Sequence, residues 1–243
     1  MKRYLFAGLV VFFGVLIVTF PARVAYNWFA PPDIIFTGIS GSVWNGAAVE
    51  GMAAGAYIQD ISWQLKPASI FSGQLAFATS AKPASGTMTS DVAVSFDGTV
   101  TFSRLSGTVP LDLVHPAFQQ NGISGDLSLD FETMVIRNGL PIDANGSVTV
   151  ANFFMPAMSS VRLGDYTATD FKKTNGGIVA TVDDLSGVLD ISGTITLSPD
   201  RDYQLIGEVS ARPGAPPSIT QQLQYLGSPD ERGFRPFRFE GAL

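Results

Sequence analysis

The sequence predicts a mainly β protein: one N-terminal transmembrane helix followed by an open, curved antiparallel β-sheet domain with one or two short helices. Three observations support this prediction. An uncharged, largely apolar stretch runs from Tyr4 to Ala22. Beyond it, apolar and polar residues alternate in short runs, which is the period of a half-buried strand. The 25 Gly and 15 Pro residues separate many of these runs, as in successive hairpins rather than in a helical bundle.

Composition and charge exclude several functional classes. The 243 residues include 21 Asp and Glu against 15 Lys and Arg, which gives a net charge of −6. This acidic balance argues against a nucleic-acid partner, because phosphate contacts require clustered basic side chains. The chain has no cysteine and one histidine. Disulfide scaffolds, cysteine nucleophiles and multi-histidine metal sites are therefore excluded.

The uncharged N-terminal stretch predicts a single membrane anchor. As a helix it would be about 28 Å long, close to the hydrocarbon thickness of a bilayer. Lys2 and Arg3 precede it and favour a cytoplasmic N-terminus. A cleaved signal peptide is the alternative, but its apolar region would exceed the usual length of about 7–15 residues, and no A-x-A site follows.

We therefore expect two parts in the chain. Residues 1–33 would form a cytoplasmic tip, a single-pass anchor in the inner membrane of a bacterium, and a Pro-containing spacer. Residues 34–243 would form one β-rich domain in the periplasm, since no flexible linker divides them. The absence of cysteine is compatible with that oxidising compartment.

The exported part consists of predicted strands that are separated by turns. Between residues 126 and 132, Leu127, Leu129 and Phe131 alternate with polar residues, which indicates one buried and one wet face. Hairpin turns are predicted at Asp97-Gly98 and at Asn145-Gly146, because these dipeptides tolerate positive φ.

Short helices and a sheet edge are predicted in the same part. Ser218 and Gln221 match a capping box ahead of an apolar stripe that ends at Gly227, and a second helical turn is expected after Pro110. The final strand, residues 234–240, contains a proline, which is tolerated best at the edge of a sheet. We therefore expect this strand to be an edge.

No constellation of residues predicts catalysis or metal binding. His115 and Asp112 could be assigned to a Ser–His–Asp triad, but the chain has no G-x-S-x-G elbow. The pairs Asp183-Asp184 and Asp200/Asp202 lack the spacing and the closing Glu of a calcium loop. The prediction is that the protein is not an enzyme and has no catalytic, cofactor-binding or metal-binding residues.

Two stretches near the start of the domain are distinctive. They contain glycines at bend positions, two tryptophans and a turn that begins with proline, and they supply the candidate interaction or structural residues Gly41, Ser42, Trp44, Gly46, Trp63, Leu65, Pro67 and Gly73. Core packing and contact with a partner are both open for the two tryptophans, since large amphipathic rings serve both purposes.

These stretches resemble the type II secretion system protein N family. The G-S-x-W-x-G and W-x-L-x-P patterns of that family match the eight residues above in order and spacing, with Ile70 in place of a leucine. The C-terminal part is also similar, at Gly193-x-Ile195-x-Leu197 and at Leu226-Gly227-x-Pro229-Asp230. The resemblance brings no catalytic residues with it.

The resemblance implies an accessory inner-membrane component of the secretion machine. Such a protein would take part in export of folded proteins across the outer membrane through contacts with other secretion components in the periplasm. The family also resembles AsmA-like proteins, whose curled sheets form apolar grooves. The alternative is therefore a periplasmic lipid-binding groove protein anchored in the inner membrane.

Overall fold

The computed structural model describes residues 2–30, 34–53, 56–83, 86–95, 97–114, 120–174 and 177–242. Fourteen strands in these residues form one sheet. Their bounds are β1 (Ile34–Thr37), β2 (Ser40–Gly41), β3 (Asn45–Ala53), β4 (Ala56–Leu65), β5 (Gln74–Pro83), β6 (Met88–Ser95), β7 (Val100–Pro110), β8 (Ser124–Arg137), β9 (Leu140–Phe154), β10 (Gly164–Thr174), β11 (Gly177–Gly187), β12 (Leu189–Leu197), β13 (Asp202–Ala211) and β14 (Arg235–Ala242).

The sheet is an open, antiparallel meander. From β3 onwards, each strand pairs with the strand that follows it in the chain, while β1 and the two-residue β2 both pair with β3. Among the described residues, no pairing joins β1 to β14, and β14 pairs with β13 alone. The predicted open antiparallel sheet and the edge position of the last strand are therefore confirmed.

Among the described residues, three α-helices and three short 3-10 segments accompany the sheet. The α-helices are α1 (Lys2–Val18), α2 (Ala22–Phe29) and α3 (Pro217–Leu223), and the 3-10 segments are Pro67–Ser72, Leu111–Leu113 and Gln224–Leu226. The uncharged stretch is divided between α1 and α2, because Pro21 disfavours helical backbone at Phe20. In the part of the chain that the structure describes, no helix has both the length and the apolar character that crossing a membrane requires.

The predicted C-terminal helix is confirmed as α3, but its predicted capping box is wrong. Pro216 occupies the N-cap position, and Ser218 lies inside the first turn. Prolines are tolerated there because the first N–H groups of a helix have no intrahelical partner. The second predicted helical segment begins with the 3-10 turn after Pro110, and residues 115–119 of that prediction lie outside the described residues.

The strand registers give the sheet one apolar and one polar face. Residues opposite each other in adjacent strands point to the same face. The apolar face carries two registered series. One runs from β4 to β9 and consists of Leu65, Phe77, Val92, Phe102, Met134 and Ala144; the other runs from β11 to β14 and consists of Ala180, Ile195, Leu205 and Phe239. The opposite face carries pairs such as Thr108 and Ser128, whose hydroxyls lie 3.0 Å apart.

Three clusters remove parts of the apolar face from water. Their buried members are Ala22, Ile39 and Ala48 beside α2; Leu105, Phe131, Ala144 and Ile178 in the middle; and Leu163, Leu189, Val209, Ile219, Leu223 and Phe237 beside α3. In the middle cluster, the ring centroids of Phe131 in β8 and Phe171 in β10 lie 5.4 Å apart, and Phe131 lies opposite Gly146 of the intervening β9. Helices cover the two ends, whereas the described members of the middle cluster all belong to strands.

One predicted hairpin turn is wrong. Asn145-Gly146 lies inside β9 at a register shift, where Gly146 faces Phe131 of β8. A Cβ on Gly146 would come within 2.2 Å of the Asp130 carbonyl oxygen, so glycine permits the close approach of the two strands. The chain turns instead at Asn138-Gly139, whose φ values of 53° and 78° fit a two-residue hairpin. The turn predicted at Asp97-Gly98 is present between β6 and β7.

We expect Ile219→Ala to lower the free energy of unfolding by about 2–5 kcal/mol, because Ile219 is fully buried and its truncation leaves a cavity. Urea unfolding of the full chain in mild detergent, followed by circular dichroism, measures this change. The neighbouring exposed Thr220→Ala is the control and should change stability by less than about 0.5 kcal/mol. Equal effects of the two substitutions would contradict the buried face of α3.

Candidate functional site

The first predicted stretch forms a tight hairpin between β2 and β3. Gly41 lies opposite Gly46, and its φ of 82° falls in the left-handed region that glycine adopts without strain. A Cβ on Gly41 would lie 2.5 Å from the carbonyl oxygen of Asn45. Ser42 closes the turn, because its N–H donates to the Asn45 carbonyl at 2.9 Å and its hydroxyl accepts from the Asn45 N–H at 3.1 Å.

Trp63 lies across this hairpin. It faces Gly46 from β4, and a Cβ on Gly46 would come within 2.5 Å of the indole ring. The indole N–H of Trp63 donates to the carbonyl oxygen of Val43 at 3.1 Å. Gly46 therefore provides the space into which Trp63 packs. We call residues Gly41–Gly46 together with Trp63 the clamp.

The clamp holds the N-terminal helices against the sheet. The indole N–H of Trp44 donates to the carbonyl oxygen of Ile17, in the last turn of α1, at 2.7 Å. The backbone N–H of Val43 donates to the Phe20 carbonyl at 3.0 Å. A neutral hydrogen bond of this kind contributes about 0.5–1.5 kcal/mol. Trp44 is half-buried, and its indole N–H bonds the end of a helix of the same chain.

A second set of contacts fixes α2 to the first strand. The ring of Tyr26 stacks on that of Phe36 with centroids 5.9 Å apart, and its hydroxyl accepts the Phe36 N–H at 3.0 Å. The guanidinium of Arg23 donates to the Ile39 carbonyl at 3.2 Å. Ala22 is buried beside Ile39. These contacts make α2 a cover for the first strands.

The second predicted stretch continues from the clamp to the end of β4. The N–H of Leu65 donates to the Trp44 carbonyl at 2.6 Å, which joins the two stretches directly. Pro67 begins the 3-10 turn, where its missing N–H is no loss, and Gly73 ends that turn with φ 74°. The structure thus brings all eight predicted residues to one corner of the sheet.

A charged group supports the base of this 3-10 turn. The Lys66 amine lies 2.5 Å from a carboxylate oxygen of Asp91, which Arg104 also contacts. Partial burial of the amine, with a smaller contribution from the positive charge of Arg104, lowers the pKa of Lys66. This ion pair fixes the position of Lys66, the residue directly before the 3-10 turn.

The sequence analysis missed a groove beside the clamp. It has a volume of about 340 Å³ and lies between α2 and the apolar face. Tyr26, Phe36, Trp63, Phe77 and Val92 contribute to its lining, as does Thr79. The signal was the apolar series that continues into β5 and β6, where the short α2 no longer covers the sheet.

The edge strand β14 is held in place by charged side chains at both ends. At its start, the Asp230 carboxylate accepts the backbone N–H of Phe234 at 2.8 Å and also bonds Arg232, and these contacts lower the pKa of Asp230. Near its end, Arg238 contacts Glu240 and lowers the pKa of that carboxyl group. The edge is thus ordered by local ion pairs and hydrogen bonds.

Asp184, one of the acidic residues that could be read as calcium ligands, has other contacts. Asp184 contacts Arg212 and accepts the backbone N–H of Ile191 at 2.8 Å. Among the described residues, no group of three or more acidic or histidine side chains is arranged to hold a metal ion. His115 lies outside the described residues.

Comparison with known proteins identifies the family. The family model described as "Type II secretion system (T2SS), protein N" matches residues 32–238, which include the clamp and all strands up to β14. The chain belongs to the type II secretion system protein N family. The predicted resemblance is therefore confirmed.

Curated relatives of this family extend over almost the whole chain. The type II secretion system protein N of Aeromonas hydrophila is 25% identical over 254 residues, which cover 97% of this chain and 96% of the relative. The protein N of Vibrio cholerae is 25% identical over 260 residues and covers both chains fully. No solved structure is significantly similar to the chain.

For this protein N family member, we expect Gly46→Ala to loosen the clamp, because the new Cβ would overlap the Trp63 ring and the Ser40 carbonyl. Trypsin cleavage after Arg23 of the full chain in detergent, followed by mass spectrometry, reports the loosening. A cost of about 1.4 kcal/mol would speed cleavage about tenfold. Gly14→Ala is the control, since a Cβ there meets no atom within 4 Å. Unchanged cleavage in Gly46→Ala would show that the clamp does not hold α2.

Proposed function

We propose that the protein is an accessory component of a type II secretion system that is anchored in the inner membrane and acts through protein contacts in the periplasm. In this role it would take part in the export of folded proteins across the outer membrane. Membership of the family supports the assignment to the secretion system. The structural observation that supports the contacts is the unpaired edge of an otherwise continuous sheet.

The character of α1 supports the proposed anchor. Large apolar side chains are exposed all along this helix: Tyr4, Phe6, Leu9, Val11, Phe12, Phe13, Val15, Leu16, Ile17 and Val18. They occupy every side of the helix, which is typical of a segment surrounded by lipid or by other helices rather than by water. With Lys2 and Arg3 ahead of it, we propose that residues 1–33 contain a cytoplasmic tip, the anchor and a spacer, and that residues 34–243 lie in the periplasm.

We expect alkaline carbonate to leave the wild-type protein in the membrane pellet, with an N-terminus ahead of Arg23. The double substitution Val11→Lys and Val15→Lys should release it, because a charged side chain at the centre of a membrane helix costs about 2.5–3.5 kcal/mol. Val49→Lys, at an exposed apolar residue of β3, is the matched control and should stay in the pellet. A mature N-terminus near Tyr26 would contradict the anchor.

We further propose that the protein has no enzymatic activity. Its one histidine precedes a proline, and the sequence has no nucleophile elbow. Asp184 pairs with Arg212, and Asp200 and Asp202 are exposed to water. An assembly component requires surfaces for docking, which the edges provide, rather than a catalytic centre.

Strand addition at β14 is the proposed mode of docking. An edge strand exposes backbone N–H and C=O groups that a partner strand can pair. Phe237 is buried and holds β14 to the sheet, whereas Arg238 is exposed and Pro236 removes one donor. The charges discourage indiscriminate pairing, so a partner must match them. The opposite edge, at β1, is the second candidate.

We expect photocrosslinkers at Arg235 and Arg238 to capture another secretion component in cells. A photocrosslinker at Asp130 in β8 is the control, because this exposed residue lies in an interior strand with neighbours on both sides. Mass spectrometry of the crosslinked products identifies the partner. Capture at Asp130 but at neither arginine would contradict docking at the β14 edge.

Lipid binding is the second candidate function. It is favoured by the apolar groove of about 340 Å³ beside α2, near the end of the proposed anchor. The volume is at the lower end of the range of about 300–1,000 Å³ that is usual for small-molecule sites. Much of the remaining apolar face is already packed by α3 and by the curl of the sheet, so the groove is the part that a lipid chain could occupy.

A further inference from the structure

The connection between β4 and β5 ends in two exposed apolar side chains. Phe71 is 95% exposed and Ile70 is 51% exposed, both in the 3-10 segment Pro67–Ser72. We call residues Pro67–Gly73 the tip. From Pro67 to Ala81 the sequence contains no charged residue. Single exposed apolar side chains are common on protein surfaces, but two adjacent ones in a segment without charge resemble a site that contacts a membrane or another protein.

The tip lies at the same end of the sheet as the C-terminus of α1. Trp44 links the two, since its indole bonds the Ile17 carbonyl of α1 and its own carbonyl accepts the N–H of Leu65 at the end of β4. The next residue, Lys66, pairs back to β5 through its N–H and the Ala76 carbonyl at 2.7 Å. Residues beyond this pair therefore project past the end of the strands.

Polar groups of the tip bond within the tip and to the adjoining residues Lys66 and Ala76. The Ser69 N–H donates to the Lys66 carbonyl at 3.0 Å, and the Ser69 hydroxyl accepts the Ala76 N–H at 2.9 Å. The Gly73 N–H donates to the Ile70 carbonyl at 3.1 Å. A segment that enters a bilayer must satisfy its backbone internally, because hydrocarbon offers no hydrogen-bond partners. Pro67 and left-handed Gly73 fix the ends of this segment.

We propose that the tip inserts Ile70 and Phe71 into the lipid bilayer as a second membrane contact beside α1. The inference rests on the proposed anchor, because the end of α1 defines where the bilayer surface meets the sheet. An apolar residue at such a surface lies about 5–10 Å into the boundary of headgroups and acyl chains. Exposed Trp28 of α2 lies on the segment between anchor and sheet and would occupy the interfacial level that tryptophan favours.

The insertion has a structural consequence. A helix that crosses a membrane leaves the attached domain free to rotate about the helix axis, whereas a second contact off that axis removes this freedom. The clamp transmits the constraint to the sheet, because Trp44 and Leu65 join the two membrane contacts. The β14 edge would then face a defined direction above the membrane.

The absence of cysteine permits a direct test with single labels. Full-length Phe71→Cys, Val11→Cys and Tyr225→Cys would each carry an environment-sensitive fluorophore and be reconstituted into vesicles of phosphatidylglycerol and phosphatidylethanolamine. Half of the vesicles would contain lipids with brominated acyl chains, which quench fluorophores by contact. Tyr225 is the matched control, because it is 90% exposed and follows α3 at the opposite end of the sheet.

We expect the labels at Val11 and Phe71 to be quenched and the label at Tyr225 to be unaffected. Quenching at Val11 without quenching at Phe71 or at the second tip variant, Ile70→Cys, would overturn the insertion while leaving the anchor intact. Absence of quenching at Val11 would instead overturn the proposed anchor. If lipid does not quench the tip label, and a photocrosslinker placed at Phe71 captures a membrane protein in cells, the tip contacts a protein partner. That outcome would also overturn the proposal.

Discussion

An open sheet with one apolar face must withdraw that face from water, and the remaining features of the molecule depend on how this is achieved. Burial of apolar surface contributes about 25 cal/mol per Å², so an uncovered face of this size would be strongly unfavourable. Helices cover the two ends, where Ala22 and Ile219 are buried, and large side chains of neighbouring strands pack on one another in the middle, where Phe131 meets Phe171. A groove remains where α2 ends before the apolar series does.

The same constraint explains why the N-terminal helices and the sheet are joined so closely. α2 can cover the first strands only if it is held against them, and its residues Tyr26 and Arg23 bond the backbone there. The clamp holds the preceding helix, because the indole N–H of Trp44 donates to the Ile17 carbonyl of α1. Position 46 accommodates only glycine, because the Trp63 ring fills the space that a Cβ would need. The family patterns in this region therefore have a structural role.

Much of the fold was predictable because period-two alternation and turn dipeptides are local signals. The open meander, the edge position of β14 and the apolar stripe of α3 followed from such patterns. The failures have a different origin. Asn145-Gly146 and Asn138-Gly139 are the same dipeptide, and only the approach of Phe131 in a neighbouring strand distinguishes a bulge from a turn. The eight candidate residues were recognisable in the sequence, but their meeting at one corner depends on strand pairing. The groove depends on where α2 ends relative to the sheet.

Because the clamp bonds Ile17 and Phe20, we expect α1 and the sheet to move as one rigid unit. Pulsed electron spin resonance between labels at Val18→Cys in α1 and Thr89→Cys in β6 measures this directly in the full chain in vesicles. We expect a single narrow distance distribution that broadens when Trp44→Phe removes the indole N–H while keeping an aromatic ring. A broad distance distribution with the clamp intact, or the same width in both proteins, would show that the clamp does not hold α1 to the sheet.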